Sequence, residues 1–309
     1  MAITSDYAVP IIDLESFPEQ SKKLIQACEE WGCFRIINHS RFLPAPLAAE
    51  MKAVARSLLD LPAEVKRRNT DVIPGTGYMA PSKINPHYEA LGLYDISCTD
   101  AVDAFCTQLD ASPDQRKTIT KYAEAIHELA MDIMHKLAES MGLSTHSFEE
   151  WPCQFRINKY NFTPETVGSS GVQIHTDSGF LTILQDDENV GGLEVMNKSG
   201  EFVAVEPIPG TLLINFGDIA TIWSNGRFRN VQHRVQCKEA KLRLSIASFL
   251  LGPKEALVEA PPELVDSEHP RLYVPFTYKD YRTLRVSNKL HAGEALDLVR
   301  VNSSKTAQA

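Results

Sequence analysis

The sequence has few cysteines, no long apolar run and no excess of basic residues, and each shortage excludes a class of protein. Its 309 residues include 6 cysteines without any CxxC pair, which is unlike a disulfide-rich secreted scaffold. No apolar stretch approaches the roughly 18 residues of a membrane-spanning helix. The N-terminus lacks the basic and apolar segments of a signal peptide. We therefore expect a cytoplasmic protein that does not contact a membrane.

The charge balance is acidic. The chain has 31 Lys and Arg against 40 Asp and Glu, a formal net charge of −9. A chain without a basic footprint is unsuited to nucleic acid, but net charge does not decide whether one pocket binds a small anion. The apolar share of 43% is ordinary for a globular protein, and the length allows one large domain or two modest ones. The oligomeric state is not indicated.

The first half of the chain has helical periodicity. Apolar residues recur at helical spacing over residues 24–31, and Gly32 follows where a helix end favours left-handed backbone. A second apolar stripe covers residues 47–58. The third begins with Ser-Pro-Asp-Gln at 112–115, which predicts an N-cap, a proline at N1 and a capping box. We expect a largely helical N-terminal domain over residues 1–148, with short strands on both sides of the first helix.

The chain changes character near residue 149. From there, short β-branched and aromatic runs alternate with Gly, Pro and Asn, a pattern typical of a sandwich, a jelly roll or a barrel. The predicted strands are residues 155–162, 172–176, 180–184, 193–196, 211–216, 231–236 and 242–250. We therefore assign residues 149–309 to a second, β-rich domain.

Three residues on these predicted strands form a candidate metal site. His175 and Asp177 are two residues apart and so point to the same face of a strand. The pair alone is weak, because a strand end with a solvated carboxylate gives the same pattern. His233 on a later strand completes a set of two imidazoles and one carboxylate, which suits Fe(II) with open positions and also suits zinc. Asp218 is interpreted as a turn residue at a strand end rather than as a ligand.

A second candidate group would bind a carboxylate. Arg243 and Ser245 share one face of strand 242–250 with Phe249, opposite a leucine- and isoleucine-rich face. A guanidinium and a hydroxyl at this spacing suit a carboxylate, although an isolated Arg-x-Ser is more often a surface feature of an edge strand. A second alternating face on strand 155–162 consists of Arg156, Asn158, Tyr160 and Phe162.

In this order along the chain, the motifs resemble the plant 2-oxoglutarate/Fe(II)-dependent dioxygenases. Segments 9–14 and 31–39 also match that family, so the resemblance covers nearly the whole chain. It implies a mixed α and β fold, with a double-stranded β-helix (jelly-roll) catalytic core, a largely helical N-terminal region and a C-terminal helical extension. It further implies that Fe(II) is bound by His175, Asp177 and His233, with O2 as oxidant. The cosubstrate 2-oxoglutarate would be held by Arg243, Ser245, Tyr160 and Asn158.

Within the family, the chain is most similar to members that oxidise the auxin indole-3-acetate to 2-oxindole-3-acetate, releasing succinate and CO2. The segments that carry this similarity are 68–71, 110–116, 220–227 and 288–291. Ser40 replaces the glycine that usually follows Asn-His, and residues 161–164 replace a usual double-Pro-Cys segment after the tyrosine. The second departure alters a wall expected to face the substrate. A gibberellin, a phenolic or another small plant acid therefore stays an alternative.

An indole acid requires a flat apolar slot and a group for its carboxylate. The residues expected to contact this substrate are Tyr78, Phe105, Phe162, Phe249 and Arg156. Aromatic residues in such positions are more often part of the core than of a substrate wall, and Arg156 is equally compatible with a structural role. Two other classes of function stay open: a zinc hydrolase with the same three ligands, which would not need the arginine of the carboxylate site, and a non-catalytic sensor. The intact ligand set favours an enzyme over a sensor.

Overall fold

The N-terminal region is largely helical in the computed structural model, which describes residues 9–301 except 74, 144–147 and 149. Its helices are α1 (Ser21–Glu30), α2 (Ala45–Leu59), α3 (Ala63–Lys66), α4 (Thr99–Gln108) and α5 (Pro113–Ser140). Its strands are β1 (Ile11–Asp13), β2 (Cys33–Ile37) and β3 (Tyr88–Leu93). The capping box predicted for α5 is present, because the Gln115 N–H donates to Ser112 Oγ at 3.2 Å and the Ser112 N–H donates to Gln115 Oε1 at 2.8 Å.

The C-terminal half is rich in strands. These are β4 (Cys153–Asn161), β5 (Ser170–His175), β6 (Leu181–Gln185), β7 (Leu193–Met196), β8 (Phe202–Ala204), β9 (Leu212–Phe216), β10 (His233–Gln236), β11 (Leu242–Leu250), β12 (Leu257–Val258) and β13 (Phe276–Thr277). The helices are α6 (Asp218–Trp223), α7 (Tyr278–Asn288) and α8 (Ala295–Leu298). Every strand predicted after residue 149 is confirmed, with ends shifted by at most about two residues. The short β3, β8 and α6 were not predicted, because elements of three to six residues show too little periodicity.

Two sheets form the jelly roll. The large sheet has the order β1-β2-β9-β6-β11-β4-β3 and the small one the order β5-β10-β7-β8. Except for the parallel pair β1/β2, the paired strands described are antiparallel. Leu184 and Ala247 of the large sheet join Val195 and Val235 of the small sheet in one apolar cluster. The two sheets therefore face each other, as the jelly-roll expectation requires.

The outer face of the large sheet packs against the N-terminal helices. Ile246 of β11 and Phe155 of β4 share the main apolar core with Ile126 and Leu129 of α5. Because side chains alternate along a strand, the opposite faces of β4 and β11 point between the sheets. Burying an apolar side chain stabilises a fold by about 1.5–3 kcal/mol, so this core fixes which face of each strand points inward.

The N-terminal strands belong to the large sheet. β2 pairs with β9, and β3 pairs with β4, so both sides of the predicted 148/149 boundary contribute to one sheet. The boundary adjoins residues 144–147 and 149, which lie outside the described part, and the division into two domains stays a prediction. Across the described residues, no helix combines the length and apolarity needed to cross a membrane.

Candidate metal and cosubstrate site

The three predicted metal ligands meet at the edge of the small sheet. His175 ends β5 and His233 begins β10, and the antiparallel register of these strands places the two residues opposite each other. Their ring centroids are 4.1 Å apart. Asp177, two residues beyond β5, places Oδ1 3.8 Å from His175 Nε2 and 3.9 Å from His233 Nε2. One donor atom from each residue lies within 4.8 Å of the other two, close enough for one metal ion.

Hydrogen bonds orient each ligand. His175 Nδ1 lies 2.9 Å from the Gln173 carbonyl oxygen, and His233 Nδ1 lies 3.1 Å from the Val231 carbonyl oxygen. A carbonyl only accepts, so each Nδ1 carries the proton and each Nε2 lone pair is free for a metal. Burial, then the neighbouring His233 ring, lower the pKa of His175 to about 4, which keeps its imidazole neutral at pH 7.

The predicted carboxylate site contains a buried arginine without an anion. Arg243 is 2% exposed, its Nη1 lies 3.5 Å from Ser245 Oγ, and its Nε has no hydrogen-bond partner. In the part of the chain that is described, no carboxylate lies within ion-pair distance of this guanidinium. Burying an uncompensated cation is costly. The arrangement therefore fits a ligand that brings its own carboxylate.

A polar wall on β4 surrounds this arginine. The β11/β4 register places Tyr160 beside Arg243, and Asn158 beside Ser245. Burial raises the pKa of Tyr160, so its hydroxyl stays protonated and can donate to a carboxylate. Tyr88, which was not predicted, donates from its hydroxyl to Asn158 Oδ1 at 2.8 Å and so orients the amide. These are the residue types that the family resemblance assigns to 2-oxoglutarate.

The metal ligands and the carboxylate site open on one cavity of about 340 Å³ between the two sheets. Its apolar walls include Leu184, Leu193, Val235 and Phe249. A larger groove of about 700 Å³ lies against α2 and contains neither group. The site therefore places three candidate metal ligands, an anion anchor and an apolar wall around one cavity.

Two of the residues predicted to contact the substrate line this cavity. Phe249 contributes an aromatic wall, and Arg156 is half-buried at the opening. Arg156 donates to Met79 Sδ and to the Gly75 carbonyl oxygen, both neutral acceptors. No carboxylate approaches its guanidinium within ion-pair distance among the residues described. Its charge is therefore available to a ligand.

The other three residues do not line the cavity, and the structure corrects their predicted placement. Phe105 of α4 is 1% exposed in the main core, with its ring centroid 6.3 Å from that of Phe155, because α4 packs on the outer side of the large sheet. Tyr78 donates to Glu89 Oε2 at 3.1 Å. Its neighbour in sequence, Met79, lines the cavity instead. Phe162 is buried in the apolar cluster between the sheets.

Besides Tyr88 and Asn85, sequence reasoning missed two polar residues on the large sheet that line the cavity. Thr182 of β6 and Asn215 of β9 are cross-strand neighbours that face it. Thr182 donates to Asp177 Oδ2, which leaves the other carboxylate oxygen for a metal. Asn215 is 2% exposed, and its Oδ1 has no partner among the residues described. The available signal was that each of them is a polar residue between apolar neighbours on its strand.

Asp218 is not the turn residue that the sequence suggested. It begins α6 with no exposed surface and accepts hydrogen bonds from Asn230, Tyr281 and Arg285. Its partners lie in segments that carry no recognisable motif.

Comparison with known proteins agrees with this geometry. Residues 151–252 match the model of the 2OG-Fe(II) oxygenase superfamily, and residues 9–127 match that of the N-terminal region of the non-haem dioxygenase in morphine synthesis. The chain is 54% identical over 294 residues to the 2-oxoglutarate-dependent dioxygenase DAO of Oryza sativa subsp. japonica, covering 93% of this chain and 97% of that protein.

Two solved structures are similar over most of the chain. The crystal structure of the dioxygenase for auxin oxidation in rice has a TM-score of 0.89 at 53% identity, covering 95% of this chain and 100% of that one. The complex of dioxygenase for auxin oxidation 1 from Arabidopsis thaliana with 2-oxoglutarate has a TM-score of 0.82 at 61% identity, covering 85% and 100%.

Proposed function

Because the chain belongs to the 2OG-Fe(II) oxygenase superfamily, we propose that its substrate is the auxin indole-3-acetate and its product 2-oxindole-3-acetate. The enzyme is a 2-oxoglutarate-dependent dioxygenase that uses Fe(II), 2-oxoglutarate and O2. One oxygen atom of O2 enters the substrate and the other enters succinate, while 2-oxoglutarate loses CO2. Bound Fe(II) supplies the activation of O2 in this reaction.

The residues of this chain bind and orient. His175, Asp177 and His233 would hold Fe(II) on one side and leave the cavity side open. Arg243 and Ser245 would hold the far carboxylate of 2-oxoglutarate. Since both groups open on the same cavity, a keto acid with a second carboxylate can reach from one to the other. The buried arginine without an anion is the observation that supports this assignment over a zinc hydrolase.

The substrate assignment is supported by the outer part of the cavity and by the relatives. Phe249 offers an aromatic wall for an indole, and Arg156 offers a cation for an acetate group. The similar rice and Arabidopsis proteins are dioxygenases for auxin oxidation. A small aromatic acid is therefore the substrate class that fits best.

The test is turnover with a small panel of acids. Full-length protein is loaded with Fe(II) and 2-oxoglutarate and given indole-3-acetate, a gibberellin or a phenolic acid in air. We expect succinate and a product one oxygen atom heavier in equal amounts with indole-3-acetate. Turnover of only the gibberellin or the phenolic acid would contradict indole-3-acetate as the substrate, but it would agree with a 2-oxoglutarate-dependent dioxygenase. Hydrolysis that is supported by zinc and releases no succinate would contradict both the proposed substrate and the dioxygenase class.

We also infer a cytoplasmic location and a small-molecule partner. The six cysteines are free thiols, which suits a reducing compartment. The net charge of −9 gives no support to binding of nucleic acid or of an anionic membrane. Fluorescence of a tagged full-length chain inside a secretory organelle would contradict this location.

A further inference from the structure

We propose that the C-terminal segment formed by α7 and residues 290–293 clamps the metal-binding segments together, with Arg285 as its central positioning residue. This inference rests on the assignment of His175, Asp177 and His233 as metal ligands. The two segments that carry these ligands lie on different strands. The clamp contacts both of them through hydrogen bonds, buried at Thr176 and partly buried at Gln232.

The first contact is with Thr176, the residue between two of the ligands. Arg285 Nη2 donates to the Thr176 carbonyl oxygen at 2.9 Å and to the His291 carbonyl oxygen at 3.0 Å. Arg285 Nη1 lies 3.2 Å from Thr176 Oγ1, and the Thr176 N–H donates to the His291 carbonyl oxygen at 2.8 Å. Both backbone groups of Thr176 are thus bound by the C-terminal segment. Because the backbone of Thr176 sets the relative direction of the residues on either side, the clamp fixes His175 against Asp177.

The second contact is with the segment before His233. Gln232 Nε2 donates to the Ala292 carbonyl oxygen at 2.7 Å. Gly293 has a φ of +98°, and a Cβ added there would lie 2.9 Å from Asn230 Nδ2 and 3.5 Å from Thr176 Cγ2. Only glycine suits this backbone and this close approach. The C-terminal segment therefore touches both ligand-bearing segments at one point.

Asp218 anchors the arginine. Its Oδ2 accepts from Arg285 Nη1 and, at 2.8 Å, from the Tyr281 hydroxyl. Its Oδ1 accepts from Asn230 Nδ2 at 2.8 Å, and its N–H donates to the Asp177 carbonyl oxygen at 2.9 Å. Asp218, which has no exposed surface, thus joins α7 and the segment before His233 through its carboxylate, and the backbone of Asp177 through its N–H. Such a buried ion pair is rigid because every partner is hydrogen-bonded.

The clamp is expected to govern metal affinity rather than cosubstrate affinity. A metal site needs its ligand atoms held at fixed separations, and loss of an outer hydrogen bond that orients a ligand typically weakens metal binding 10- to 100-fold. Arg243 and Ser245 lie on β11 in the large sheet and make no hydrogen bond to α7 among the residues described. Removing Arg285 should therefore raise the metal Kd and leave the 2-oxoglutarate Kd of the metal-saturated protein unchanged.

The experiment titrates metal-free full-length protein with Co(II), followed by calorimetry and by the visible absorption of the bound ion. We expect Arg285→Ala to raise the Co(II) Kd by about 10- to 100-fold, and Arg285→Lys to give an intermediate value. The control is Arg282→Ala, one turn earlier on α7. Arg282 is half-buried, has no hydrogen bond or ion pair among the described residues, and its replacement should leave the Kd unchanged. A folded Arg285→Ala protein with the wild-type Kd overturns the clamp.

A second pair of variants covers the case in which Arg285→Ala does not fold. Gln232→Leu removes one hydrogen bond and Gly293→Ala strains the contact point, while both keep the buried ion pair. We expect each to raise the Co(II) Kd by about 2- to 10-fold, the worth of one ordinary hydrogen bond. Wild-type affinity in both refutes the clamp. No substrate is needed, so a wild-type protein that binds Co(II) without oxidising indole-3-acetate refutes only the proposed substrate.

Discussion

The two ends of the cavity are built in different ways. The inner end consists of His175, Asp177, His233, Arg243 and Ser245, all on or next to paired strands and buried except for the half-buried first histidine. The outer end consists of Met79, Asn85, Arg156 and Phe249, which are half-buried or exposed. Strand register and hydrogen bonds determine the positions at the inner end, whereas Met79 and Asn85 of the outer end lie in the connection before β3.

Because of this difference, we expect one set of residues to determine the reaction and another to determine which substrate is accepted. The register between β5 and β10 brings the two imidazoles together. A shift of either strand by one residue would turn its histidine to the other face of the sheet. Met79 exchanges two backbone hydrogen bonds with Ala90 of β3, but its side chain is exposed, so the side chain can change without disturbing the metal ligands. We therefore expect substitutions at the inner end to abolish the reaction and substitutions at the outer end to alter which acid is accepted.

The largest effect is expected at Asp177. Asp177→Ala removes the one carboxylate that the described residues bring to the metal site, so the loss of metal affinity should exceed the roughly 100-fold loss caused by an outer partner. Turnover should fall below detection. Metal content after dialysis and succinate release measure the two effects.

The matched control is Asp266→Ala, which removes an exposed carboxylate that is paired with His269. It should keep wild-type metal content and turnover. Retention of tightly bound metal by Asp177→Ala would show that the inner end does not hold the ion as assigned.

The next largest effect is expected at Arg243. Hydrogen bonds to a charged group contribute about 1.5–3 kcal/mol, so Arg243→Ala should raise the 2-oxoglutarate Kd about 10- to 150-fold. The metal Kd should not change, because this arginine touches no metal ligand. Calorimetric titration of metal-loaded protein measures both constants.

Arg41→Ala serves as the control, since its guanidinium forms an exposed pair with Asp132 at 2.7 Å. It should leave both constants unchanged. An unchanged 2-oxoglutarate Kd in Arg243→Ala would favour the hydrolase that does not need this residue.

Two phenylalanines distinguish the cavity from the core. Phe105→Ala should lower the free energy of unfolding by about 3–5 kcal/mol, because Phe105 is buried in the main core, and leave KM for indole-3-acetate unchanged. Phe249→Ala should raise that KM several-fold with a smaller loss of stability, because Phe249 is half-buried at the cavity. Denaturant unfolding and steady-state kinetics measure the pair. A reversed pattern would move the substrate to the α4 side of the sheet.

The inner end could be predicted from the sequence because it depends on local patterns. A strand period of two residues places His175 with Asp177 and Arg243 with Ser245, and the capping box marked the start of α5. The family resemblance added the role of each residue. Both kinds of information lie within short segments of the chain.

The outer end and the clamp could not be predicted in this way. Tyr88 reaches the cavity only because β3 pairs with β4. Its hydrogen-bond partner Asn158 lies 70 residues further along the chain. Arg285 and Asp218 are 67 residues apart and match no motif. Phe105 lies on α4, for which no pattern was recognised in the sequence, and the sequence does not say on which side of the large sheet this segment packs.

The smallest effect is expected at Arg156, the positively charged residue of the outer end. Arg156→Gln should raise KM for indole-3-acetate about 2- to 5-fold, the usual worth of a partly exposed charge pair. The methyl ester of the same acid has no charge to lose, so its KM should not change. Lys159→Gln, on the opposite face of β4 and paired with Asp60 at 2.8 Å, is the control.

An equal rise in KM for the acid and the ester would mean that Arg156 only shapes the cavity wall. A rise for the acid alone would assign charge selectivity to the outer end, independently of Arg243, since the two arginines would then bind different carboxylates.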